Sequence, residues 1–156
     1  MLRPFLLLLV CCGALLGQKY NGPQPEKPDL PYLVHADNLV PTEANEAKEE
    51  DRKGDALYVI EGATSPAATP LASPTFLIRI DQLVPESLEI YKLESKNGRR
   101  EVVFSKKKKQ TARPVRSNVS QVEDKLYKLE VEDALDKGEY SITPKGSNQV
   151  FCFRVY

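Results

Sequence analysis

Apolar side chains recur at every second position in short runs along this chain, and that spacing predicts β-strands. TFLIRI (75–80) sets Phe76, Ile78 and Ile80 on one side, and KLYKLEV (125–131) does the same with Tyr127, Leu129 and Val131. ALYVIE (56–61), EYSIT (139–143) and QVFCFRVY (149–156) read as further strands, as do 32–40 and 115–122. Residues 88–95 and 100–104 flank Lys96-Asn97-Gly98-Arg99. Asn-Gly at a hairpin centre supplies the positive φ angles of a type I′ turn. Two segments break the pattern. PTEANEAKEEDRKGD (41–55) is dense in charge, and its only apolar side chains are alanines, so a solvated loop or a short exposed helix is expected. GATSPAATPLASP (62–74) is poor in charge and rich in proline, which predicts a long loop or an irregular crossing strand. About seven to eight strands with no core helix predict an all-β fold, an antiparallel β-sandwich.

Asp136-Lys137-Gly138-Glu139-Tyr140 matches the D-x-G-x-Y pattern of immunoglobulin-like domains. The resemblance covers the last thirty or so residues. It implies an immunoglobulin-like sandwich in which Asp136, Gly138 and Tyr140 form a structural corner, the tyrosine hydroxyl bonding back to the backbone. The chain departs from the family pattern at Ile142, where a cysteine would stand, and it has no tryptophan. The C-terminal run also resembles the tails of small exported bacterial proteins, which brings no activity with it.

Residues 1–17 have a different character. Arg3 precedes an apolar run from Phe5, and small residues follow at Gly13, Ala14 and Gly17, the layout of a secretory signal peptide. The apolar stretch is shorter than the about 20 residues that a membrane-spanning helix needs. An exported protein, periplasmic or extracellular, is therefore expected, with lipidation at Cys11 or Cys12 as a weaker alternative. Residues 18–31 hold four prolines and read as a disordered leader, leaving 32–156 as a single β-sandwich domain.

Removal of residues 1–17 leaves 21 basic and 22 acidic side chains. That balance gives no general affinity for nucleic acid, and no nucleic-acid partner is expected. The charge is polarised locally: residues 92–116 carry ten basic and two acidic side chains. Lys106, Lys107, Lys108 and Lys109 could contact an anionic partner such as an envelope protein or a cell-surface polymer; solvated lysines guarding neighbouring strands against aggregation is the plainer reading. Cys152 is then the one cysteine outside residues 1–17. It is read as a buried, inert thiol or, alternatively, as an intermolecular disulfide joining a homodimer.

Catalytic and metal-binding patterns are missing from the sequence. His35 is the only histidine, and no H-E-x-x-H, C-x-x-C or G-x-S-x-G motif occurs. No cofactor is expected. The residues point to a non-enzymatic binding or structural module of the periplasm or cell envelope. The alternative is a small envelope hydrolase built around His35 or a carboxylate pair.

Overall fold

In a computed structural model, which describes residues 19–156, thirteen strands form two sheets. The expected signal peptide, and the alternative of lipidation at Cys11 or Cys12, fall outside the described residues. In chain order the strands are β1 (Tyr32–His35), β2 (Asn38–Pro41), β3 (Glu43–Glu46), β4 (Lys48–Arg52), β5 (Asp55–Glu61), β6 (Ala68–Thr69) and β7 (Thr75–Arg79). There follow β8 (Leu88–Lys96), β9 (Arg99–Phe104), β10 (Ser117–Glu123), β11 (Leu126–Val131), β12 (Gly138–Pro144) and β13 (Gln149–Val155). A single 3₁₀ turn at Pro85–Ser87 precedes β8.

The smaller sheet runs β10-β11-β7-β1-β2, and the larger runs β3-β13-β12-β8-β9-β5-β4. All pairings are antiparallel except that β6 lies parallel to β13. The faces of β7, β11, β12 and β13 that look across at the other sheet carry the main core. Phe76 and Phe153 meet edge to face between the sheets with centroids 4.9 Å apart, and Tyr140 stacks on Phe153. Ile78, Ile90, Leu129 and Ile142 fill the space around them without solvent exposure.

The larger sheet curls into a half-barrel because of one short stretch. Strands β3 and β4 are separated only by Ala47, yet β3 pairs with β13 at one edge and β4 pairs with β5 at the other. A continuous segment thus joins both edges of one sheet. Strand β8 supplies the bend, pairing through Leu88–Leu93 with β12 and through Glu94–Lys96 with β9. The concave face holds a second, smaller core of Ala47, Ile60, Leu93, Val150 and Cys152.

The strand count exceeds the expected seven to eight for identifiable reasons. Residues 32–40 split into the hairpin β1–β2, with Ala36 at φ 52° between them. Residues 43–52, expected as loop or helix, are two strands. Both are edge strands held mainly by backbone hydrogen bonds; apart from Glu43, which turns inward, their charged side chains stay in water and no apolar stripe is needed. Tertiary pairing overrides the local helix preference of Glu, Ala and Lys here. The proline-rich segment before β1 is anchored at its end. The Asp29 carboxylate accepts from the amides of Asp81, Gln82 and Leu83, and Pro25 is buried. Partial burial alone would raise the Asp29 carboxyl; the three amide donors outweigh it and hold it below its ordinary value.

Candidate functional site: the concave face of the curled sheet

The concave face is divided into a charged floor and an aromatic mouth. Strand alternation decides which side chains reach it. From β9 come Arg100, Val102 and Phe104; from β5 come Ala56, Tyr58 and Ile60, paired with them in register.

Arg100 occupies the floor and has no solvent exposure. Its Nη1 and Nη2 donate to Glu43 Oε2 and Oε1 at 2.7 and 3.0 Å, a two-point ion pair. Its Nε donates to the Gly62 carbonyl at 2.8 Å, and Nη2 also donates to the Glu61 carbonyl at 2.9 Å. Glu139 Oε2 lies 3.8 Å from Nη1 and accepts from the Ser65 amide at 2.9 Å. Two carboxylates therefore share one cation, and they respond oppositely. Burial pushes Glu43 up, but the Arg100 and Asn45 hydrogen bonds outweigh it and hold its carboxyl below the usual range. For Glu139 burial dominates and raises it, because one amide and a more distant guanidinium offset less.

At the mouth is a cavity of about 350 Å³. One wall is aromatic: Tyr58, Tyr91 and Phe104. The inner end of the cavity is aliphatic, with Ala47, Ile60 and Val150 among its members. The lip is the β12–β13 turn, including Lys145 and Asn148. The Tyr58 hydroxyl donates to Glu49 Oε2 at 3.2 Å, and the Tyr91 hydroxyl donates to Glu89 Oε2 at 2.7 Å. Burial, then the adjoining glutamate, raises both phenols above their ordinary value. Both hydroxyls stay protonated, so the aromatic wall is fixed by neutral donors on charged acceptors.

The residues singled out in the sequence fall at separate places. Lys106–Lys109 lie on an exposed loop that leaves β9 directly after Phe104. Its base is tied to the β4–β5 hairpin, where Ser105 Oγ and the Lys106 amide both donate to Asp55 Oδ1. The four ammonium groups make no ion pair among the described residues. At the corner, the Tyr140 hydroxyl donates to the Asp136 carbonyl at 2.8 Å, and Lys92 pairs with Asp136 at 3.2 Å.

Cys152 is wholly buried on the concave face beside Arg100, and its thiol is pushed up to about 12 by burial, which the Arg100 charge offsets only in part. The sulfur has no exposed surface to offer a second chain in this structure, which agrees with the reading of a buried thiol. His35 is exposed at the β1–β2 turn and does not line the cavity. Among the described residues, no group of three or more histidine, cysteine, aspartate or glutamate side chains is placed to hold a metal.

Sequence reasoning missed the residues that build the site: Arg100, Glu43, Glu139, Tyr58, Tyr91 and Phe104. One signal was present. In β13, Val150, Cys152 and Arg154 alternate with Phe151, Phe153 and Val155, so apolar side chains fall on both faces of one strand. A strand apolar on both faces is covered on both.

No protein-family model, curated protein or solved structure gives a significant match to this chain.

Proposed function

We propose that this is an exported, non-enzymatic binding module of the cell envelope, and that the mouth of the curled sheet is its ligand site. The observation that carries the reading is the cavity of about 350 Å³ with an aromatic and aliphatic lining and a polar lip. Ligand sites are concave, largely apolar and furnished with a few polar groups, and this cavity has that make-up. Its position supports the same reading. Strand order β1-β7-β11-β10 faces β6-β13-β12-β8-β9, with β6 parallel to β13 and a tyrosine corner opening β12. That order favours an immunoglobulin-like sandwich, ABED against A′GFCC′, into which β2–β5 is inserted. Ala47, Ala56, Tyr58 and Ile60 of the insertion meet Tyr91 and Phe104 of the sandwich wall at the cavity. A site formed where an insertion meets a common framework is a usual location for function.

The test is cavity filling. Ala56→Phe projects a ring into the mouth from a half-buried position on β5. Native mass spectrometry of the protein isolated from its source should show a small molecule that is released on unfolding. The same preparation of the filled variant should lack it while its thermal unfolding stays cooperative. A protein that carries no small molecule and binds no uncharged apolar dye such as Nile red in the mouth contradicts the reading.

A further inference from the structure

The aromatic wall is more specific than binding of an apolar molecule requires. Phe104 meets Tyr58 with centroids 5.6 Å apart at 82°, and meets Tyr91 at 5.1 Å and 83°. Rings set at right angles make a corner of π surfaces instead of a flat wall. Each flanking phenol donates a hydrogen bond to a carboxylate, Tyr58 to Glu49 and Tyr91 to Glu89, which keeps those rings electron-rich. Glu89 itself lines the cavity. Aromatic faces attract cations, and more strongly where water is excluded. A primary ammonium or a guanidinium would lose several hydrogen bonds to water on entry, and the carboxylate facing it is already engaged by Tyr91. A quaternary ammonium has no N–H to satisfy.

We infer that the cavity binds a compact quaternary-ammonium compound, with its N-methyl groups against Tyr58, Tyr91 and Phe104 and its charge balanced by Glu89. The inference rests on the reading of the cavity as a ligand site. The exposed Lys145 on the lip matches an anionic group on the same molecule, which favours a betaine over a simple choline-type alcohol.

Calorimetric titration of the purified protein with tetramethylammonium, choline, glycine betaine and dimethylbutanol, the uncharged carbon isostere of choline, tests this. The cations should bind, and the isostere should bind at least about tenfold more weakly, the size expected of a desolvated cation–π contact. Glu89→Gln should weaken the cations and leave the isostere unchanged. Phe104→Leu should lower cation affinity by about tenfold, with cooperative unfolding showing that the sheet remains intact. Betaine should bind more tightly than choline, and Lys145→Gln should remove the difference. Equal binding of choline and betaine overturns the role of Lys145. If the isostere matches choline, or the apolar dye binds and no cation does, the cationic ligand is wrong and the cavity remains a ligand site. If neither dye nor cation binds, both readings fail.

Discussion

Glu43 and Glu139 face the same guanidinium and carry opposite consequences. Glu43, with its carboxyl lowered, stabilises the fold above the ordinary carboxylate range, and that contribution is lost as pH falls through its depressed value. Glu139, with its carboxyl raised, favours the fold in its protonated form; that contribution is present at low pH and is lost as pH rises through its raised value. Glu43→Gln should therefore cost about 2–3 kcal/mol at neutral pH, somewhat less than breaking a fully buried pair. Glu139→Gln should be neutral or stabilising there, and should flatten the loss of stability as pH rises above the carboxylate range. Urea unfolding of both variants across acid and neutral pH checks the pair. Equal losses would mean that the two carboxylates share Arg100 evenly. Cys152 gives a simpler test at the same scale. A thiol with no exposure should react with a chromogenic disulfide only when the protein unfolds, and reductant should not alter the native mass.

At the scale of elements, the β8–β9 hairpin is fixed by its turn. Asn97 and Gly98 lie at φ 53° and 76°, the left-handed pair that the sequence Asn-Gly predicts. A Cβ at Gly98 meets nothing within 4 Å, so Gly98→Ala tests backbone strain alone. It should cost about 1 kcal/mol in denaturant unfolding, without disturbing ligand binding at the mouth. Strand β12 is held at its start by the Tyr140 corner. Tyr140→Phe keeps the ring on Phe153 and removes one hydrogen bond to Asp136, for about 1 kcal/mol. A larger loss would mean that the corner also orients Glu139, the next residue back on the opposite face.

At the scale of the whole molecule, opposite charges lie close together. The lysine loop is anchored by Asp55 to the acidic β4–β5 hairpin, yet its ammonium groups remain in water. Exposed, unpaired lysines contribute little to folding, so replacing Lys106–Lys109 with glutamine should change stability by less than about 0.5 kcal/mol. If the loop contacts an anionic envelope polymer, the same change should weaken cosedimentation with that polymer and remove its salt dependence. Unchanged cosedimentation would leave the lysines as solvated guards beside the strands.

What the sequence by itself determined is the local order. Period-two runs placed strands in β5, β7, β11, β12 and β13, and the Asn-Gly pair placed a hairpin, because side-chain alternation and turn conformation are decided within a few residues. The corner at Asp136–Tyr140 was legible for the same reason: its donor and acceptor are four residues apart. The tertiary structure alone decided the site. Residues 43–52 have no apolar face, and they become strands only because β13 and β5 offer free edges at the right separation. Joining those edges curls the sheet, and the curl turns Arg100, from the most basic stretch of the chain, into a buried partner of Glu43, 57 residues away. It also gathers Tyr58, Tyr91 and Phe104 from three strands into one wall. Periodicity shows which side chains share a face of a strand; which faces look at one another depends on how the edges close.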